Sequence, residues 1–350
     1  MPLIALSFIL CSRNDNYMGD PMWRLATAIN YLAKQADLVG RKKQVEVIVA
    51  DWGSETPIAE VLKLTEAAAS ITKFLYIDPA TSKELQKDSP FAEVFPLNAA
   101  AKRATGEYIG RIDQDTLVHR DFLKHFFDHY EGNRDYGFQL SNSYMFVSRM
   151  QIPFRFAQKC PSLTDVEYHI DHFGKWSYSE EQRFCHWASP VGILMMHRDI
   201  WDDIGGYDER LIYYWYMDVD LATRLIKKYP IINIRKTYGN HFYHLEHVKP
   251  GLKFRFSHRK RNPNWSKSFN KPVLNPNGSD WGMAQFALPI TKISTNTDVE
   301  NDFKLQELVG TRQKIFLFLL TAIASLRRWG YYQLKFCWYL SKRLLGKPYL

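Results

Sequence analysis

Acid is missing from one end of this chain, and phosphate-cradling glycine from all of it. From Leu308 to Leu350 there are eight basic residues and no aspartate or glutamate, which leaves 38 basic against 37 acidic side chains in the preceding 307 residues. The net charge of +9 is therefore a property of the tail. A duplex-binding protein spreads basic charge over a folded face that holds a recognition helix or a stacking sheet. Neither is present, so nucleic acid is excluded as an expected partner. Neither Gly-x-Gly-x-x-Gly nor Gly-x-x-x-x-Gly-Lys-Ser/Thr occurs, which removes the dinucleotide cradle and the P-loop. The four cysteines, Cys11, Cys160, Cys185 and Cys337, form no Cys-x-x-Cys pair. That excludes a zinc knuckle and a disulfide framework and points to a reducing, cytoplasmic compartment. The apolar run Leu3–Cys11 has no basic residue before it and no cleavage site after it, so it reads as a first strand rather than a signal peptide.

What is present is enough apolar residue for a large core: 46% hydrophobic and 15% aromatic over 350 residues. Leu3–Cys11, Val45–Ala50, Phe74–Ile77 and Tyr108–Ile112 read as strands. Between them lie helical patterns: one opened by Asp20-Pro21, one from Thr56-Pro57 to about Ser70, and one over Ala92–Ala104. Strands joined by single helical crossovers make a parallel sheet covered on both faces. The expectation is an α/β fold, doubly wound and mostly parallel.

The strand Tyr108–Ile112 ends in Asp113-Gln114-Asp115. In open α/β sheets, ligands gather beyond the carboxyl ends of the strands, and hard divalent cations take carboxylate and phosphate oxygens. With no glycine cradle, Asp-x-Asp reads as a metal–diphosphate site; by itself it is equally a polar turn. Ser12-Arg13-Asn14-Asp15 and Asp51-Trp52-Gly53-Ser54 follow the first two strands at the same edge.

The order of these motifs resembles the GT-A domain of family-two glycosyltransferases. Asp51-Trp52-Gly53-Ser54 resembles that family's Asp-Asp-Gly-Ser, with Trp52 in place of the second Asp. Asn98, Ala104 and Gly106 match its Asn-x-Gly-x-x-x-Ala-x-Gly helix, with Leu97 where an Arg is expected, and Asp113-Gln114-Asp115 matches its Asp-x-Asp. The resemblance implies that Asp51 meets the donor base, that Ser12, Arg13, Asn98, Lys102 and Asp113 line the donor, and that Asp113 and Asp115 serve a Mn²⁺ or Mg²⁺ ion. Arg13, Lys102 and Arg103 read equally as solvated surface charges.

Farther along, Gly205-Gly206-Tyr207-Asp208-Glu209 and Met217-Asp218-Val219-Asp220-Leu221 resemble the acceptor-side segment of the galactosyltransferase and chondroitin-polymerase type. Asp218 aligns with that family's general base, though a capping role at the start of a helix over Val219–Lys228 is open to it. Trp187, Gly192, Trp215 and Asp220 fall at acceptor-binding positions, with core packing as the alternative for the tryptophans. In Asn240-His241-Phe242-Tyr243-His244-Leu245-Glu246-His247, the resemblance implies one histidine ligand after the last strand, His244 first and His247 second. His169 and His172 read as ordinary surface histidines.

The expected organisation is a catalytic domain over 1–249, with a nucleotide-sugar half at 1–115 and an acceptor half at 116–249. A loop-rich segment over the site at 250–307 and a basic helical tail at 308–350 follow. The resemblance implies a metal-dependent, inverting transferase that moves sugar from a nucleotide-sugar, a UDP-sugar first of all, to a saccharide acceptor. Alternatives are a polyprenyl-phosphate transferase and a non-catalytic glycan binder. In the tail, Ile315–Leu326 is shorter than the ~20 residues that span a bilayer. With its flanking aromatic and basic residues it suits a helix lying on an anionic membrane, or one packed on the domain.

Overall fold

The computed structural model describes residues 4–179, 193–213, 216–239, 241–247, 262, 272–293 and 311–344. Strands β1 (Leu6–Ser12), β2 (Val45–Trp52), β3 (Thr72–Ile77) and β4 (Tyr108–Arg111) pair in parallel in the order β3-β2-β1-β4. The α/β class and the doubly wound, mostly parallel sheet expected from the sequence are both present. Beyond β4 the sheet continues through β8 (Leu194–His197), which is antiparallel to β4, then β6 (Tyr144–Phe146) and β9 (Ile231–Asn233).

Both faces of the sheet are covered, and the period-2 geometry of a strand sorts its side chains between them. Phe8 and Leu10 of β1 and Val47 and Val49 of β2 face one core with α1 (Pro21–Leu38), α3 (Glu66–Ile71) and α6 (Arg120–Tyr130). Ile9, Ile48 and Ala50 face the other, under α5 (Val94–Arg103), α9 (Arg198–Ile204) and α10 (Met217–Leu225). The helix expected from Thr56 to Ser70 is broken into α2 (Ile58–Val61) and α3, whose start is capped by the Thr65 side chain accepting from the Ala68 N–H. A further helix, α4 (Pro79–Gln86), opens on Asp78 and Pro79 in the same way.

A small second sheet lies beside the carboxyl end of β4. β5 (Thr116–Val118) runs antiparallel to β10 (Phe242–Leu245), which pairs in parallel with β7 (Met150–Ile152). Of the segment expected as a loop over the site, residues 272–293 are described and bind along α5: Arg103 donates to the carbonyls of Gly282, Met283 and Phe286 at 2.9–3.0 Å. Trp281 is buried there, and β11 (Ile290–Thr291) closes the sheet edge beside β3. The short helix α7 (Phe154–Ala157) and α8 (Leu163–Phe173) pack over the small sheet. His169, expected at the surface, is fully buried: it shares a face of α8 with Val166, Ile170 and Phe173 and stacks on Phe156. α11 (Ile234–Thr237) precedes β10, and the tail forms one helix, α12 (Thr311–Leu344).

Candidate active site

β4 ends where Ile112 donates its backbone N–H to Ile9, and Asp113, Gln114 and Asp115 follow at the carboxyl edge of the sheet. Ser12, the last residue of β1, donates its hydroxyl to Gln114 Oε1 at 2.5 Å, so the β1 loop and the Asp-x-Asp turn are tied together. The two aspartates then part company. Asp113 faces arginines, with Arg111 Nη2 2.9 Å from its Oδ1 and Arg149 Nη1 against its Oδ2.

Asp115 faces histidines. It is 3% exposed, with His247 Nδ1 at 2.9 Å and His244 Nε2 at 3.3 Å. Backbone pairing makes this meeting: Leu245 donates its N–H to the Asp115 carbonyl at 3.0 Å, and His244 stands opposite Thr116 in the β5–β10 ladder. The ligand atoms of Asp115, His244 and His247 lie within 4.8 Å of one another. Burial opposes ionisation of Asp115, but the two imidazoles outweigh it and hold the carboxyl well below the usual carboxylate range. Burial, with the neighbouring Arg149 guanidinium, pushes His244 down, and Asp115 only partly offsets this. Asp115 Oδ1 and His247 Nδ1 are buried without a hydrogen-bond partner among the described residues. Two buried polar atoms left without hydrogen bonds, in a cluster of one carboxylate and two imidazoles, fit a divalent cation, since buried polar groups otherwise find partners. Asp113 stands outside this trio and His247 inside it.

Three buried guanidiniums ring these groups. Arg24 Nε lies 3.9 Å from Asp115 Oδ2 and Arg149 Nη1 3.8 Å from Asp115 Oδ1. Arg24 also gathers the carbonyls of Tyr17, Met18 and Gly19, which fixes the β1–α1 loop where Met18, Gly19 and Asp20 are all left-handed. Asp20 occupies the N-cap position, but its side chain makes no capping bond there. Arg111 joins the two halves of the site: Nη2 is 3.3 Å from Glu93 Oε2 and Nη1 is 3.9 Å from Asp218 Oδ1. None of the three arginines was singled out from the sequence. Arg111 carried a readable signal, a cation inside a buried four-residue strand; Arg24 and Arg149 carried none.

Asp218 lies in the first turn of α10, whose N-cap is Tyr216 in the left-handed conformation at φ 76°. It is therefore inside the helix rather than its cap. Its Oδ1 is buried without a hydrogen-bond partner among the described residues. Burial pushes its carboxyl up, and Asp113 adds to this, while Arg111, the Tyr207 hydroxyl and Arg149 pull it back; the net shift is upward.

Other expected donor and acceptor residues are engaged elsewhere. Asn98 is fully buried and clamps the glycine turn: its Nδ2 donates to the Tyr207 carbonyl at 2.8 Å, and its Oδ1 accepts from the Tyr207 N–H at 2.7 Å. Gly206, at φ +68°, leaves room for that amide, because a Cβ there would collide with Asn98 Oδ1. Lys102 pairs with Asp202 at 3.1 Å and lies over the Trp281 ring. It sits at the C-terminal end of α5, which returns the chain to the opposite, amino edge of the sheet. Asp220 is bound by Arg224 at 2.8 Å, and Arg224 donates in turn to the carbonyls of Ile204 and Gly206. Arg13 pairs with Asp15 at 2.8 Å and lies over the Phe91 ring.

Asp51 accepts from the Ser54 hydroxyl and from the Ile58 N–H, yet burial still pushes its carboxyl up. It lines a cleft of about 800 Å³ with Pro57, Leu62, Tyr76 and Pro289. Trp52, where the family has an acid, is fully buried and stacks on Phe95, and Leu97 is likewise core. Trp187, Gly192 and Trp215 lie outside the described residues.

No known protein family and no curated protein matches the sequence. Among solved structures, a 1–349 fragment of S. aureus TarS aligns at 16% identity over 69% of this chain and 60% of that one, with a TM-score of 0.44. The same fragment with UDP aligns at 17% over the same shares, with a TM-score of 0.44. The catalytic domain of Drosophila beta1,4-galactosyltransferase 7 with xylobiose aligns at 13% over 77% of this chain and 81% of that one, with a TM-score of 0.38. The chain thus spans 60% of the TarS fragment it matches.

Proposed function

We propose that this protein is a divalent-metal-dependent, inverting glycosyltransferase that moves a sugar from a nucleotide-sugar, first of all a UDP-sugar, to a saccharide acceptor. The observation that carries the reading is the junction at the carboxyl edge of the sheet. There the Asp115–His244–His247 trio, the arginine-bound Asp113 and the unpartnered Asp218 oxygen are linked through Arg111 and Arg149.

Asp115, His244 and His247 would hold Mn²⁺ or Mg²⁺, which supplies positive charge to the diphosphate leaving group. Arg24 and Arg149, buried beside the same carboxylate, would add permanent positive charge next to the diphosphate. Asp51 lines the neighbouring cleft, where its carboxylate suits the N–H edge of a base. Asp218 accepts the proton of the acceptor hydroxyl as that oxygen attacks the anomeric carbon. Its raised basicity and its buried, unpartnered oxygen suit that task. A single displacement by the acceptor on the face opposite the diphosphate inverts the anomeric centre. Among the described residues Cys11, Cys160 and Cys337 are free thiols, which suits a reducing compartment.

The test is a thermal-shift screen of nucleotide-sugars with and without Mn²⁺, followed by donor hydrolysis. A donor that binds the native state raises the transition only with metal present, by mass action. The Asp115→Asn protein should show neither effect, its shifts being measured against its own unliganded transition, which loss of a buried charge partner lowers. Metal-independent shifts, or metal-dependent shifts without hydrolysis or transfer, would respectively remove the metal assignment or leave a nucleotide-sugar binder.

A further inference from the structure

α12 has two faces of opposite fate. Leu317 and Thr321 are buried, Ser325 donates its hydroxyl to the Trp176 carbonyl at 2.9 Å, and Arg328 pairs with the buried Glu246. This stripe, at spacings of four, four and three, lies against α8 and the turn that follows it. Two residues earlier at each step stand Ile315, Leu319, Ile323 and Leu326, which are 55, 49, 47 and 68% exposed. A two-residue step rotates about 200° around a helix, so these four form the opposite stripe. It is wholly apolar and is continued by Trp329, 54% exposed. A run of this kind on a soluble surface marks an interaction site.

We infer that this stripe is a docking face for an anionic lipid surface, on which α12 lies flat. Charge selects that occupant. The sequence from Leu308 to Leu350 carries eight cations, of which Arg328 is paired with Glu246, and no acid, so pairing two copies of the stripe would bring two basic helices together, whereas an anionic bilayer supplies counter-charge. The rim agrees: Lys159 lies over the Phe316 ring and Lys175 over the exposed Trp176, cations beside aromatics at the border of the apolar stripe. Among the described residues no helix is long and apolar enough to cross a membrane, so α12 lies on the surface rather than spanning it. The helix is also tied to the catalytic edge, because Glu246, the partner of Arg328, sits between His244 and His247. Docking would therefore hold the candidate site close to the lipid surface.

The test uses the full chain and flotation with phosphatidylcholine vesicles, with and without phosphatidylglycerol. The wild-type protein should float with the anionic vesicles, and less so at high salt. Ile323→Glu/Leu326→Glu, and independently Ile315→Glu/Leu319→Glu, should abolish flotation without changing the circular dichroism spectrum, since all four side chains are exposed. Failure of the wild type to float, or equal flotation of both variants, overturns the proposal. So does light scattering that shows a wild-type dimer which either variant converts to monomer, because the stripe would then belong to a second copy. None of these readouts depends on sugar transfer.

Discussion

His244 Nδ1 lies 2.7 Å from Oε1 of Gln151, its direct neighbour across the β7–β10 pairing. A carbonyl oxygen only accepts, so Nδ1 carries the proton and Nε2 turns its lone pair toward Asp115. Gln151→Leu should weaken Mn²⁺ binding by about 10–100-fold, the usual cost of losing such a support. Calorimetric titration of Mn²⁺ decides it, and unchanged affinity would remove His244 from the ligand set.

Asp218→Asn should lower transfer by about 10²–10⁴-fold and leave donor affinity near wild type, since the base acts on the acceptor. The folded carboxyl is raised, and only its ionised form accepts a proton. The wild-type rate should therefore fall with acid at a higher pH than an ordinary aspartate would give. A donor Kd that collapses in the folded variant would make Asp218 structural.

Arg111 is a buried cation against Glu93, Asp113 and Asp218, and it pulls the Asp218 carboxyl down. Arg111→Gln should therefore move the acid limb of the rate profile to higher pH. It should also cost about 3–5 kcal/mol in stability, the scale for removing one partner of a buried ion pair. An acid limb that stays in place would show that Arg111 does not act on the base.

Asn98 should behave as a clamp. Asn98→Ala leaves the Tyr207 N–H and carbonyl without their partner, at a cost of about 1–3 kcal/mol for each buried group left unpaired. Urea midpoints should fall, while donor affinity at low denaturant stays near wild type. The reverse pattern would return Asn98 to the donor.

His169 is fully buried, its ring nitrogens make no hydrogen bond among the described residues, and burial lowers its pKa to about 4. The unfolded chain, with a histidine pKa near ~6.5, binds the proton more readily. Stability is therefore complete above that value and is lost as pH falls toward 4, by about 3 kcal/mol in all. His169→Leu should flatten the dependence of the urea midpoint between pH 7 and 4.5; an unchanged slope would place the acid-sensitive group elsewhere.

The alternation of strands and helices was legible because β1, β2 and β4 are buried almost throughout and the helices between them on one face, so hydrophobic patterning reports them directly. Local signals were less reliable where a neighbour decided the outcome. Asp20-Pro21 marks the start of α1, yet Arg24 holds the loop left-handed and the Asp20 side chain does not cap. His169 reads as polar, yet its place among Val166, Ile170 and Phe173 buries it.

The sequence by itself determined that a parallel sheet would end in Asp113 and Asp115 beside the loops of Ser12 and Asp51, because apolar runs, turn residues and their order are local properties. The tertiary structure alone decided which groups those carboxylates meet. Asp115 reaches His244 and His247 only because β10 pairs with β5, and Arg24 of α1, Arg111 of β4 and Arg149 of the β6–β7 loop come together to balance the charge. The same packing set Asn98, Lys102 and Asp220 against partners that the sequence did not name. Each found a closer partner in Tyr207, Asp202 and Arg224, and a buried or paired polar group goes to the partner that the fold sets against it.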